Sequence, residues 1–487
     1  VTHAFQKTAT ASLLLLALAT WPTGGTPVRP APGPPRVSAN GRYLLTAAGK
    51  PLFLVCDTAW QLALNLERDS VAYYLDRRKA QRFNAITLQA FPSSVRPNRV
   101  GDHAFAVVND KYDPLHPLTT PGHNPANPIE YDHWDNLDYV LDLAGEKGFY
   151  VLLLPTWGSM ITGGRKGTDT TRIVFNPTNA YRYGHWLGTR YKNRTHLIWM
   201  LGGDQSAVYP ARDFRPVVRA MAEGIADGIN GEDRPDGRAD YRTTLMSYHP
   251  EKLALQSSAW FHHDDWLDFN SIQEWPEKQL PNVVNDHGLR PTKPTWLFEG
   301  RYENYYKNYD PEQWRDWQMR FQAYQTVFAG GFGHTYGHEY VFGFRGNWAH
   351  ELNDPGAQVM QHLATLMQTL SPDEYLSRIP DQDLLDGDPG KADRLRSTRQ
   401  QATRGASGRY ALIYSANGRR IRVKMAQFRG PLNAYWFNPR NGAWHTNGQD
   451  SPRPVPFARQ LAASDVHEFD PPGEEADEND WVLVLRR

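Results

Sequence analysis

Ile198-Trp199-Met200-Leu201-Gly202-Gly203-Asp204 is a run of buried-strand type that ends abruptly, after two glycines, in a carboxylate. Thr295-Trp296-Leu297-Phe298-Glu299-Gly300 repeats the pattern further along the chain. An acid at the C-terminal end of a parallel strand stands where barrel enzymes keep their chemistry. Outward from these two stretches, apolar strand-like runs alternate with amphipathic helices. The strand candidates are 52–57, 84–91, 149–155, 196–201, 242–248, 269–274, 294–299 and 331–336. Between them, Leu137, Val140, Leu141 and Ala144 fall at i, i+3, i+4 and i+7 of a helix over 133–147. Trp314, Trp317, Phe321, Tyr324 and Phe328 form a stripe over 311–329, behind the N-cap and first-turn pair Asp310-Pro311. That stripe reads as helix-to-barrel packing rather than a ligand platform. Val359, Leu363, Leu366 and Leu370 mark the last helix, 356–370. Eight strand–helix units predict an α/β chain with a (β/α)8 TIM barrel over residues 41–375.

Beyond Pro372 the pattern changes. Strands recur at 410–414, 421–423, 434–437 and 481–485, with turns at Asn417-Gly418 and Asn441-Gly442. Residues 376–487 are therefore expected to form a small antiparallel β-sandwich domain. At the other end, Lys7, the apolar run Leu13 to Leu18 and Ala17-Leu18-Ala19 read as a signal peptide over 1–27. A Pro-rich linker, 28–40, follows, so a secreted or periplasmic location is expected. The apolar run is too short to span a bilayer.

The chain carries 53 basic and 53 acidic residues, and this balance gives no electrostatic footprint for nucleic acid or an anionic membrane. Its 16 Trp and 24 Tyr are compatible with sugar-stacking clefts, though large barrels also bury many rings. Cys56 is the only cysteine, which excludes an intrachain disulfide and a cysteine-based zinc site. Set inside Leu52-Phe53-Leu54-Val55-Cys56, it reads as a small buried hydrophobe.

A barrel's C-terminal face gathers eight loops around one cavity, so the strand ends are where ligands are sought. Those ends carry Asp57 and Trp60, Gln89, Trp157, Asp204, Tyr248, Glu274, Glu299 with Glu303, and His334 with Tyr336. Asp204 is either a general acid/base or the N-cap of the next helix. Glu299 is either a nucleophile, sharing the lumen face with Thr295 and Leu297, or the partner of a base such as Arg301. Two such acids suit glycoside hydrolysis, which takes a proton donor and a nucleophile or base and requires no metal or other cofactor. Glu303 competes with Glu299 for the role. Asp57 and Glu274 read as substrate-hydroxyl ligands or supports, Asp57 equally as barrel-closing structure. Trp60, Gln89, Trp157, Tyr248, His334 and Tyr336 complete the expected substrate-binding set. His334 and His338, four apart and followed by Glu339, open a metal reading, but Tyr336-Gly337 between them is poor helix and the spacing lacks the zinc motif's internal Glu. The long loop 92–131, with Phe105, Tyr112, His116 and His123, is placed to close one side of the pocket.

Taken in order, several segments resemble the apiosidase-like glycoside hydrolases (family 140). They are Asp57-Thr58-Ala59-Trp60, Tyr74 to Ala80 with Phe83-Asn84, Pro155-Thr156-Trp157-Gly158, Gly184 to Tyr191, Ile198 to Asp204, and Tyr336-Gly337-His338. The resemblance covers roughly 40–370 and implies a (β/α)8 barrel that cleaves glycosidic bonds of plant cell-wall polysaccharide. The characterised activity it implies is release of apiose from the pectin rhamnogalacturonan II. It maps the family's aspartate after the paired glycines onto Asp204 and its late-strand glutamate onto Glu299. Two departures stand out: Gln205 replaces a commoner Arg, and Glu299-Gly300 replaces a frequent Glu-Pro. The tail is similar to the β domain called collagen-binding that often follows such barrels. Retention of anomeric configuration is the expected outcome, as in many barrels with acids on the fourth and seventh strands. The rival expectations are a noncatalytic carbohydrate-binding protein on the same scaffold, and a metal-dependent hydrolase at His334 and His338.

Overall fold

The computed structural model describes residues 31–252, 255–305 and 312–487, so the expected signal peptide lies outside the described residues. Eight parallel strands make one sheet: β1 (Leu54–Thr58), β2 (Ala85–Gln89), β3 (Tyr150–Leu154), β4 (Leu197–Gly202), β5 (Met246–His249), β6 (Asn270–Gln273), β7 (Thr295–Glu299) and β8 (Gly333–Tyr336). Their spatial order is β5-β4-β3-β2-β1-β8-β7-β6, which brings β5 and β6 to the seam. Side chains close that seam. Ser247 Oγ donates to the Phe269 carbonyl (2.6 Å), Ser271 Oγ bonds the Tyr248 carbonyl, and Asp268 accepts from the Met246 N–H (2.7 Å). The α/β barrel read from the eight apolar runs is the observed fold, and every expected strand overlaps an observed one.

Helices cover the outside: α1 (Arg68–Ala80), α2 (His133–Glu146), α3 (Pro177–Tyr191), α4 (Arg215–Asn230), the one-turn α5 (Ser258–Phe261), α6 (Pro276–Gly288), α7 (Asp316–Phe328) and α8 (Pro355–Gln368). Helices α3 and α4 touch backbone to backbone. A Cβ on Gly224 would lie 2.1 Å from the Tyr181 carbonyl oxygen, and one on Gly188 2.2 Å from that of Ile225. The loop expected over 92–131 contains an antiparallel hairpin, Phe105–Val108 with Lys111–Pro117. Phe105 and Tyr112 are buried there, in contact with Phe91. Among the described residues no helix is long and apolar enough to cross a membrane.

The C-terminal sheet runs β9 (Arg378–Pro380), β10 (Gln400–Gly405), β11 (Tyr410–Ser415), β18 (Trp481–Arg486), β13 (Leu432–Phe437), β14 (Trp444–Thr446) and β15 (Gln449–Ser451), with β16 (Ala458–Leu461) also on β13. The ladder of β12 (Ile421–Lys424) and β17 (Val466–Phe469) completes the domain. Alternation along the strands divides the sheet between two cores. Ala411, Ile413, Leu483 and Leu485 pack with Ile421, Val423 and Phe469 of that ladder. Tyr410, Leu412, Tyr414, Val482 and Val484 instead join the barrel's core. Both faces are thus covered, which is why β11 and β18 read as continuous apolar runs.

Helix α7 lies between the two domains, and Trp317 to Phe328 are all buried. Its aromatic stripe, read as packing against the barrel, also reaches the C-terminal sheet: Tyr324 stacks on Tyr414 at 5.0 Å. Beside that stack Arg320 forks onto Asp480 (Nε 2.9 Å, Nη2 3.0 Å), with both side chains 2 % exposed.

Candidate active site

The end of β4 is shaped by its glycines. Gly202 (φ 83°), Gly203 (φ 130°) and Asp204 (φ 53°) all lie at positive φ, so the chain leaves the strand in a tight turn. A Cβ at Gly203 would stand 2.7 Å from the Gly158 nitrogen, and one at Gly202 2.6 Å from the His249 carbonyl oxygen. The N-cap alternative for Asp204 fails: α4 starts at Arg215, its N-cap position is Phe214, and the two-stranded ribbon 208–209/212–213 intervenes. Arg165 Nη2 donates to Asp204 Oδ2 (2.9 Å), and its Nε lies 3.6 Å from Glu251. Asp204 Oδ1 is buried with no hydrogen-bond partner among the described residues. Burial first, and the Glu299 charge second, hold the Asp204 carboxyl above the usual range, against opposing pulls from Arg165 and His249.

Glu299 reaches the cavity by a different route from the one expected. Leu297 faces outward and packs with Leu280 and Val283 of α6. Phe298 faces inward, 4.8 Å from the His249 ring and 5.9 Å from that of Trp60. Strict alternation would then send Glu299 outward. The register advances two residues on β7 for one on β6, pairing Ile272 with Leu297 but Gln273 with Glu299. This irregularity acts as a β-bulge, re-aiming Glu299 beside Phe298. Tyr302 donates its hydroxyl to Glu299 Oε1 (2.6 Å), and Trp60 Nε1 donates to the Tyr302 oxygen (2.7 Å). His249 Nε2 stands 2.8 Å from Oε2, with no hydrogen bond between them. The Arg301 guanidinium lies over Trp275 (4.4 Å) and Tyr305 (4.5 Å).

Aromatic rings wall the site. Trp60 stacks on His249 (5.2 Å, 10°), and Trp157 meets both edge-on. Gln89 pairs with Leu154 along the lumen face of β2, and its N–H donates to the Trp60 carbonyl (3.0 Å). A recess on the β6–β7 side is lined by Glu299, Gln273, Glu274 and Trp275, with Glu274 Oε1 accepting from the Trp275 N–H (2.8 Å). Asp204, Glu299, Trp60, Gln89, Trp157 and Glu274 therefore gather at one end of the barrel.

The other expected ligands stand elsewhere. Asp57 is fully buried behind β1, where Arg78 Nε and the Tyr74 hydroxyl both reach its Oδ2 at 2.6 Å. The structural reading of Asp57 is the one the geometry supports. Tyr248 points outward, donating to the Gln205 carbonyl (2.9 Å) and packing on Trp260 and Phe261. Tyr336 shares the outer layer with Phe83 and Arg78 and donates to Glu303. Glu303 in turn accepts from the Gly356 N–H at the start of α8 (2.8 Å), so it anchors that helix. His334 lies on the same face of β8 as Tyr336, paired with Leu297, and burial holds its pKa down at about 3. It does not converge with His338.

His338, Glu351 and Asp354 offer ligand atoms within 4.8 Å of one another. However, His338 Nδ1 accepts from the Tyr340 N–H (3.2 Å), which puts the neutral ring's proton on Nε2. Nε2 lies 2.9 Å from Asp354 Oδ2, and in that tautomer it has no lone pair for a cation. Asn304 Nδ2 already bonds the same carboxylate (2.6 Å).

Sequence reading missed His249, Tyr302 and Arg165. Parity would have found the first, because Ser247 closes the lumen-side seam and His249 shares its face. Tyr302 sits on a loop and Arg165 in a single 3-10 turn, Arg165–Gly167, where no periodicity marks direction.

A (β/α)8 barrel with carboxylates from β4 and β7 at an aromatic-walled mouth is the architecture of a glycoside hydrolase. The comparisons make the class specific. The chain belongs to the apiosidase-like family: residues 38–372 match its description, apiosidase-like, catalytic domain. Residues 379–486 match the "putative collagen-binding domain of a collagenase". A solved glycoside hydrolase family 5 protein from Bacteroides vulgatus is 27 % identical over 93 % of each chain, with a TM-score of 0.76. Another solved structure, described as a glycoside hydrolase, is 28 % identical over 93 % of this chain and 97 % of its own, with a TM-score of 0.74. No curated protein matches the chain.

Proposed function

We propose that this glycoside hydrolase removes apiose from plant pectin with retention of configuration, Asp204 serving as general acid/base and Glu299 as nucleophile. One observation carries the assignment of roles. Asp204, partly buried with its Oδ1 enclosed and unpartnered among the described residues, is held toward its protonated form, whereas Glu299, on the opposite strand end, accepts from the Tyr302 hydroxyl. In the first step Asp204 gives its proton to the glycosidic oxygen as Glu299 attacks the anomeric carbon. The aglycone leaves as an alcohol and a glycosyl ester forms on Glu299. In the second step Asp204 takes a proton from water, whose oxygen displaces Glu299 and releases the sugar. Apiose as the sugar rests on membership of the apiosidase-like family.

Residues 1–27 are proposed to direct export, with 41–375 as the catalytic unit and 376–487 as the appended domain. The reading of the N-terminus is tested by N-terminal sequencing (Edman degradation) of the protein secreted by its host, which should begin after the Ala17-Leu18-Ala19 region. Substrate and stereochemistry are tested together. Wild-type chain is screened on aryl glycosides, including 4-nitrophenyl β-D-apiofuranoside, and on rhamnogalacturonan II fragments. The first-formed anomer is then followed by proton NMR. Apiose release with initial β-product is expected. Release of the α-anomer first would overturn retention, and turnover only on other sugars would overturn apiose.

A further inference from the structure

The recess beside Glu299 has features the two-carboxylate reaction does not use. Its amide, Gln273, is 8 % exposed, and Oε1 is buried without a hydrogen-bond partner among the described residues. A buried acceptor left unsatisfied is costly, and a sugar hydroxyl is the donor that would satisfy it. Across the recess stands Trp275, and three cations lie over its ring: Lys252 (5.3 Å) and Arg301 (4.4 Å) from the barrel and, from outside it, Arg394, whose Cζ lies 4.1 Å from the ring centroid. Arg394 belongs to the stretch leading into β10, and that stretch is fastened to α7 on the near side. Leu395 packs against the barrel core, and its carbonyl accepts from Gln318. Ser397 Oγ accepts from Gln325 Nε2 (2.6 Å).

We propose that this recess is a sugar-binding subsite completed by the C-terminal domain, with Gln273 as the hydroxyl ligand and Arg394 as the positioning residue that holds Trp275 in the wall. The appended domain is then part of the catalytic cleft and not a detachable binding module. This proposal rests on the reading of Glu299 as the reacting carboxylate. Arg394 itself touches no reacting atom, so its effect falls on binding.

The test is steady-state kinetics of the full chain on 4-nitrophenyl β-D-apiofuranoside and on rhamnogalacturonan II fragments, with thermal melts alongside. Arg394→Met is expected to raise KM about three- to tenfold on the fragments, with kcat within twofold and the melting midpoint unchanged. Arg394→Lys, which keeps the cation, should recover most of the loss. Gln273→Met should raise KM in the same way. A double-mutant cycle of Arg394→Met with Trp275→Phe should be non-additive in KM, since the two act through one contact. A wild-type KM in Arg394→Met, or an additive cycle, overturns the proposal. If Arg394→Met does not fold, the Arg394→Lys and Gln273→Met variants decide it: a wild-type KM in Gln273→Met overturns it. Full activity in Glu299→Gln would instead remove the underlying assignment of the site.

Discussion

At the scale of single residues, Arg165 sets the most delicate balance in the site. Its guanidinium opposes the two effects, burial and the Glu299 charge, that raise the Asp204 pKa. Removing it with Arg165→Gln should raise the Asp204 pKa further. A general acid that stays protonated to higher pH extends activity upward, so the alkaline limb of kcat/KM should move to higher pH. An unmoved limb would mean that Arg165 does not govern Asp204. Asp57 makes a contrasting case, because its charge is spent on Arg78 away from the cavity. Asp57→Ala should cost about 3–5 kcal/mol of stability, read by urea unfolding, by leaving the Arg78 charge buried and unpaired. Near-wild-type stability with lost turnover would return Asp57 to the site. His334 adds a pH term: its folded pKa, about 3, lies below the ordinary value of about 6.5. The unfolded chain binds that proton first, so its contribution to stability is complete above about pH 6.5 and is lost as pH falls toward 3. His334→Phe should flatten the unfolding free energy over that window. Residue types and strand ends were legible in the sequence at this scale, but facing was not. Asp57, Tyr248 and Tyr336 stand near the C-terminal ends of their strands and His334 near the start of β8, yet all four point to the helix layer, and only partners such as Arg78 and Gln205 reveal it.

At the scale of elements, the strands were legible because each is an apolar run bounded by turns. The bulge in β7 was not, since nothing in Leu297-Phe298-Glu299 distinguishes it from plain alternation. Glu299 lines the recess, though not by plain alternation. The parity argument put Leu297 on the lumen face, whereas it packs outside and the shift in register brings Glu299 in. The hairpin over 105–117 was hidden by its Pro and Asp content. Helices α3 and α4 give an element-scale prediction. Their glycines leave no room for a side chain, so Gly224→Ala must push the helices apart. A loss of about 1–3 kcal/mol is expected in chemical denaturation. An unchanged unfolding midpoint would show that the helix pair is looser than its geometry.

At the scale of the whole molecule, the two domains share a core as much as they abut. One face of the C-terminal sheet joins the barrel's hydrophobic cluster, and Arg320 and Asp480 bury a charge pair across the junction. The sequence showed where the β domain begins but not that α7 would be enclosed by it, because an aromatic stripe carries no label for what covers it. Asp480→Ala should destabilise both domains together in a single unfolding transition. Two separated transitions, with the barrel unaffected, would mean the domains are independent. The central proposal is that hydrolysis is carried by Asp204 and Glu299. Its most direct test is turnover of rhamnogalacturonan II fragments by wild type, Asp204→Asn and Glu299→Gln at matched folded concentration. The account predicts wild-type release of sugar and a fall of about 10²–10⁴-fold in each variant; activity within tenfold of wild type in either variant would contradict it.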